Sequence, residues 1–208
     1  MFPLGSVLFP HMPLQLRVFE DRYLVMLSEI FVAGNLEFGT VLIERGQEVG
    51  GGERRFGFGT TAEILNLETA EGFIGLSALG RSRIEILDWN ADEPYPNATI
   101  REVPDLEWDE SLRDLRDRAE QVVRRTLTVG SEFANLQWPS DTQLSDEEVP
   151  SAWQLAGISP LTELDQLALL QSRTLKELLD SIIEFSLAAE ERFRIGWVDD
   201  EDDDERFS

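Results

Sequence analysis

Cysteine is absent from this chain, and histidine and lysine occur once each, as His11 and Lys176. Without thiols there is no disulfide and no thiolate metal site, which suits a reducing compartment. A single imidazole supplies no zinc-binding histidine pair, and Ser-His catalysis would have to rest on His11 alone. Metal binding is left to carboxylates, and the acidic run Asp199–Glu205 lacks the spaced ligands and turn glycine of a calcium loop. No apolar run approaches the roughly 18 residues needed to span a bilayer. Positive charge is scarce too: 18 Lys and Arg face 41 Asp and Glu, for a net charge of -23. Such a field repels phosphate backbones and anionic lipid surfaces, which argues against nucleic acid and membrane as partners. The N-terminus has no basic n-region, and Pro3, Pro10 and Pro13 interrupt anything like a signal h-region. A cytoplasmic location is the expectation.

What is present is an ordinary globular composition, 42% hydrophobic over 208 residues, with a change of period partway along. Val7–Phe9 and Leu14–Val18 read as short edge strands around Pro10-His-Met-Pro13. Tyr23, Met26, Leu27, Ile30 and Phe31 then recur at helical spacing within Phe19–Val32, and Gly34 marks the stop. Strand-like segments follow at Phe38–Ile43, Phe56–Leu67, Phe73–Leu79, Ile84–Leu87 and Ala98–Val103, punctuated by the glycine-rich loop Gly46–Gly52 and the turn Ala70-Glu-Gly72. This spacing suggests a small antiparallel barrel or packed sheets. Beyond Pro104 the pattern turns helical. Leu112, Leu115, Ala119, Val122 and Val123 share one face, Ser151–Ala156 forms a short helix, and Ser159-Pro160 supplies an N-cap with proline at the first helical position. Thr174-Leu-Lys-Glu177 matches a capping box, before a last helix whose buried face carries Leu175, Leu178, Leu179, Ile182, Ile183 and Ser186.

The opening 26 residues carry the most specific pattern. Pro3-Leu4, Leu8-Phe9-Pro10, Leu14-x-Leu16 and Phe19-Glu20-x-Arg22-Tyr23 resemble, at these intervals, the start of the substrate-recognition domain found at the N-terminus of Lon proteases. Later blocks follow in matching order: Phe38–Ile43 with Val49-Gly-Gly51, Gly59–Ile64, Leu79-Gly-Arg-Ser-Arg83, Pro94-Tyr95, and the helical Gln166–Leu170 with Leu178-Leu179. Two positions depart from the pattern, His11 where a small residue is usual and Asp21 where proline is frequent, and residues 105–150 match no block. The resemblance implies a PUA-like fold followed by helices, no catalytic residue, and a role in binding polypeptide. No phosphate-binding loop of the G-x-x-x-x-G-K-[ST] form occurs, so the chain resembles a free-standing recognition domain without motor or protease.

Other motifs have plainer readings. Gly57-x-Gly59-x-x-Ala62 imitates a dinucleotide fingerprint, yet strand alternation continues through it where a helix should open. Gly75-Leu-Ser77-Ala-Leu-Gly80 is one residue too long for a nucleophile elbow. Lys176 reads as a solvated charge beside Glu177. Glu20 complements the dipole of the first helix, Arg22 ties that helix to the sheet, and Phe19 is read as a core anchor. Phe56 and Phe58, on one strand face beside the glycine loop, and Trp138 and Trp153, in the least family-like region, are the candidate polypeptide contacts.

The sequence thus predicts an α+β protein. Residues 1–104 form a PUA-like antiparallel β barrel or sheet domain with one early helix, 105–197 a helical subdomain, and 198–208 a disordered acidic tail. It binds unfolded polypeptide or a protein partner, uses no cofactor or metal, and is not an enzyme. Its acidic surface favours basic clients. The rival readings are a module that docks one folded partner and an undiscovered hydrolase, and the oligomeric state is open.

Overall fold

The computed structural model describes residues 1–45, 54–90 and 92–204. The expected loop Gly46–Gly52, with its Val49–Gly51 block, lies outside the described residues. The chain divides into two compact units, Met1–Asp105 and Leu106–Ser208.

The first unit runs β1 (Phe2–Leu4), β2 (Pro13–Val18), α1 (Asp21–Ala33), β3 (Glu37–Arg45), β4 (Arg54–Ala70), β5 (Phe73–Trp89) and β6 (Ala98–Val103). One sheet holds all six strands in the order β1-β3-β4-β5-β2, with β6 also on β5. β1 lies parallel to β3, a departure from the all-antiparallel expectation, and every other pair is antiparallel. β5 is the hub. Its first half pairs with β2 and its second half with β6, while β4 runs along its other side. Among the described residues no pairing joins β1 to β2, so the sheet is not closed into a barrel.

Two expectations fail here for the same reason. Leu79–Arg83 does not separate two strands, because β5 is continuous from Phe73 to Trp89, and Val7–Phe9 is not a strand. Gly80 is no turn glycine. A Cβ on it would lie 2.1 Å from the Phe9 carbonyl oxygen, so glycine is required where the Leu8-Phe9-Pro10 segment crosses the strand. That segment is held by side-chain and main-chain bonds of its own: Thr60 Oγ1 donates to Leu8 O at 2.6 Å, His11 N to Gly80 O at 2.8 Å, and Gly80 N to Met12 O at 2.9 Å. The extended N-terminal strand is instead Phe2–Leu4, buried throughout. α1 follows the reading in its first half, but the expected stripe fails toward its end, where Ile30 is half-buried and Phe31 is exposed. Tyr23, Met26 and Leu27 face inward, and Gly34 ends the helix at φ 70°, its N–H bonding Phe31 O.

The second unit opens with a 3₁₀ turn, Glu110–Leu112, followed by α2 (Arg113–Gly130), α3 (Glu148–Ile158), α4 (Glu163–Leu170) and α5 (Leu175–Asp204). α2 buries Ala119, Val122, Val123 and Leu127, and α5 contributes Leu175, Leu178, Leu179 and Ile182 to the core. Between α2 and α5, Thr126 Oγ1 donates to Ser186 O at 3.2 Å, and Arg125 reaches the buried Glu190 at 2.8 Å. Ser159-Pro160 does not start a helix. Ser159 closes α3, its hydroxyl donating to Leu155 O at 2.7 Å, and Thr162 caps α4 by accepting from Asp165 N at 3.2 Å. The capping box is formed at Thr174, which accepts from Glu177 N, although the Glu177 carboxylate accepts from Arg173 N rather than from Thr174. α5 extends to Asp204, into the stretch 198–208 expected to lack structure, and 205–208 lie outside the described residues. No helix of the described residues is long and apolar enough to cross a membrane.

Candidate functional site

The N-terminal motif residues separate into a buried set and an exposed set. Phe2, Leu4, Phe9 and Tyr23 are almost fully buried, as are Pro3 and Pro10, and Leu14 is half-buried. The Phe2 and Tyr23 rings stack, with centroids 4.0 Å apart, and Phe38 packs tilted against Phe2. The Met1 amine donates to Pro96 O at 2.7 Å, and burial, helped by nearby Arg55, pushes its pKa down to about 5.

Phe19 is the exception: it is 53% exposed, not the core anchor expected. The cause lies in strand phase. Leu14, Leu16 and Val18 take the inner positions of β2 while Pro13, Gln15 and Arg17 point outward, so a residue directly after Val18 is turned out of the core. The backbone remains extended at Glu20 (φ −77°, ψ 133°) before α1 begins, which keeps Phe19 on the surface. At the start of α1, Glu20 stands at the N-cap and Asp21 in the first turn, where negative charge complements the helix dipole. Glu20 makes no side-chain cap to the helix. Its carboxylate pairs with Arg22 at 3.2 Å, and the Arg22 guanidinium lies 4.5 Å above the Tyr23 ring.

These residues border a groove of about 280 Å³ that runs from β1 to β2. Phe2 and Leu4 of β1, Leu16 and Val18 of β2, Phe19 just after it, and Tyr23 of α1 line it. Arg17 and Glu20 stand at the margin. β1 is paired only to β3 and β2 only to β5, so among the described residues the groove separates two strands whose outer edges have no sheet partner. Unpaired strand edges carry main-chain donors and acceptors that an added chain can use.

The other candidate contacts are not gathered at this groove. Trp153 is 1% exposed and is a core residue of the helical unit, since α3 turns Ala152, Trp153, Leu155 and Ala156 inward together; it has no surface to offer a partner. Trp138 is half-buried in the segment between α2 and α3, and Phe56 and Phe58 are half-buried on β4. The helical unit has its own cleft, lined by Trp108, Arg113, Arg116, Asp146, Glu148 and Ser151, but its arginines are engaged within the fold. Arg113 pairs with Glu110 at 2.7 Å, and Arg116 donates to Ser151 Oγ at 3.2 Å. Sequence reasoning missed Phe19 as a surface residue, together with Leu16 and Arg17. The signal was available in the alternation of Leu14, Leu16 and Val18, which puts Phe19 out of phase with the core.

The motifs that imitate enzyme sites lie inside strands. Gly59 is a mid-β4 residue whose added Cβ would sit 1.9 Å from Thr40 O. Ser77, in mid-β5, donates its hydroxyl to Gln15 Oε1 at 2.8 Å. Lys176 pairs with Asp180 along α5.

Comparison with known proteins agrees with this architecture. The family model described as the ATP-dependent protease La (LON) substrate-binding domain matches residues 1–186. Among solved structures, a Lon N-terminal domain protein from Xanthomonas campestris is similar with a TM-score of 0.61 and 24% identity, over 88% of this chain and 95% of that one. The N-terminal domain of a Lon protease from the Mycobacterium avium complex is similar with a TM-score of 0.59 and 17% identity, over 88% and 96%. At these identities the likeness is one of fold. No curated protein matches the chain. With an N-terminal motif in place, a mixed sheet followed by helices, and a family match across most of its length, the chain belongs to the Lon substrate-binding domain family.

Proposed function

We propose that this protein is a non-catalytic recognition module in proteolysis, and that it accepts unfolded polypeptide in the groove between β1 and β2. The observation that carries the reading is the placement of Phe19. A large apolar side chain, set in the most family-specific stretch of the chain, is held half in water beside a groove of buried aromatics. Exposed apolar surface of this kind is what polypeptide recognition requires. A groove near the lower end of the roughly 300–1,000 Å³ range typical of small-molecule pockets suits a few side chains of an extended client better than a cofactor. The engagement of Ser77 and Lys176 within the fold supports a role without chemistry.

The test is binding of fluorescently labelled, reduced and alkylated client protein, followed by anisotropy. Phe19→Asp is expected to weaken binding by about tenfold or more, as loss of an aromatic anchor does, while leaving the melting temperature within a few degrees because the side chain is already exposed. Client binding indifferent to Phe19→Asp would remove the groove from the account.

A further inference from the structure

Resting on that groove reading, we infer that the bound client is an extended segment that adds as a strand to the free edge of β2 and places an acidic side chain against Arg17. Three features of the first unit favour such a client. The first is backbone complementarity. Among the described residues β2, six residues long, is bonded on one side only, to β5, and the groove is lined across from it by the short edge strand β1. An extended main chain matches such an edge residue by residue, and a folded surface does not.

The second part is alternation. A strand laid along β2 turns successive side chains to opposite faces. One set faces the groove, where Leu16 and Phe19 offer accessible apolar surface in front of the almost fully buried Phe2, Leu4 and Tyr23. The other set lies beside the outward row of Gln15 and Arg17. The client therefore needs apolar residues at every second position and polar residues between them.

The third part is charge. Arg17 is exposed, its guanidinium lies 5.3 Å from the Phe73 ring centroid, and no described carboxylate forms an ion pair with it. Glu20, the other charge at the groove, is already paired with Arg22. In a chain with 41 acidic side chains, the groove margin thus carries a positive charge available to a ligand. The net charge of -23 favours basic clients at long range. At physiological ionic strength, however, fields are screened over about 8 Å, so the residue opposite Arg17 is governed by Arg17, and opposite charges directly across a strand pair are favoured.

The experiment uses the full chain and labelled peptides of about eight residues, the length of a strand, alternating leucine and serine with glutamate or lysine at the centre. The glutamate peptide is expected to bind about fivefold tighter than the lysine peptide, and Arg17→Glu to reverse that order. Methylating alternate backbone amides of the glutamate peptide should weaken it by about tenfold, since main-chain bonds supply the affinity of strand addition. Binding of client and peptide that responds to Phe19→Asp but ignores both Arg17→Glu and backbone methylation would overturn strand addition and leave the groove reading standing. Binding indifferent to Phe19→Asp would instead overturn the groove reading, and this inference with it.

Discussion

The β unit and the helical unit are built by different kinds of constraint. In the β unit single atoms decide. Gly80 must lack a Cβ because the Phe9 carbonyl passes over it, Gly59 likewise beneath Thr40, and Thr60 must carry a hydroxyl to reach Leu8 O. In the helical unit the requirement is looser: leucine, alanine and valine at helical spacing, with threonine caps. Residue identity is prescribed at these positions of the first unit; in the second it is prescribed at Gly130, where a Cβ would meet the Phe193 ring at 2.8 Å, and at Thr126, which bonds Ser186 O, and by residue class along the rest of the buried helix faces. The functional asymmetry follows. The β unit ends in strand edges with no described neighbour beside the exposed Phe19, whereas the helical unit, which has no strand edge among the described residues, buries Trp153, leaves Trp138 half-buried and exposes Phe133.

The contrast is tested most strongly by truncating one buried aromatic in each unit. Phe9→Ala and Trp153→Ala should each cost about 3–5 kcal/mol. For units of about 100 residues this lowers the melting temperature by well over ten degrees, at about 4–8 °C for each kcal/mol. Trp153→Phe should recover much of its loss by refilling a tolerant core, while Phe9→Leu should recover less because the turn over Gly80 is held to one geometry. Calorimetry on the four variants would break the comparison if rescue were equal in both units.

Much of this was legible in the sequence, and the failures share a cause. Helix α1 with its Gly34 stop, the strands β3, β4 and β6, and the helical character after residue 104 are carried by local periodicity, which a linear reading sees. What it missed depends on contacts distant in sequence. β1 is a strand because β3, nearly forty residues later, accepts it in parallel. β5 is one strand because β2 and β6 divide its length. The groove is a property of two edges that meet no partner, and no single segment announces it. Phe19 was within reach, because it breaks the alternation of β2, but its place in a strongly patterned motif suggested burial.

A smaller effect is expected at Asp92. Arg55, with only 6% of its side chain exposed, is bonded by both Asp92 carboxylate oxygens at 2.9 and 2.8 Å and lies over Trp89 at 4.7 Å. The Arg55 hydrogen bond holds the Asp92 carboxyl below the usual carboxylate range. A depressed acid stabilises the fold above its unfolded pKa, about 3.9 for aspartate, and that contribution is lost as pH falls through the folded value. Asp92 is half exposed, so Asp92→Asn should cost only about 1 kcal/mol near neutrality. Denaturant titrations of the two proteins should converge as pH falls through the lowered folded pKa of Asp92; a constant difference would assign the effect to packing.

His11 offers a change of the opposite sign. It stands at φ 61°, the left-handed region that costs most residues about 1–2 kcal/mol and glycine nothing. Glycine's greater freedom in the unfolded chain offsets part of the relief. His11→Gly should therefore stabilise by about 0.5 kcal/mol, read as a higher denaturation midpoint at unchanged slope. A loss of stability would show that the imidazole's own contacts outweigh the backbone strain.

The smallest effect is expected at the other end of the chain, and it sets the limit of the helical unit's tolerance. Asp199–Glu205 places seven consecutive acidic residues where α5 ends. A helix C-terminus carries partial negative charge, and acids there oppose the dipole by about 0.3–1 kcal/mol at low salt. Mutual repulsion adds to this, and the run contains nothing apolar to bury. Deleting 199–208 should leave the melting temperature unchanged or slightly raised, within about 0.5 kcal/mol. The small gain should disappear at about 1 M salt, where the Debye length falls to about 3 Å. Binding of a basic client should weaken on the same deletion and become less sensitive to salt, while the central-glutamate peptide at Arg17 should bind no worse. A drop of several degrees on deletion would mean that the acidic run packs against the protein, and the looser constraint assigned to the helical unit would then stop short of its last turns.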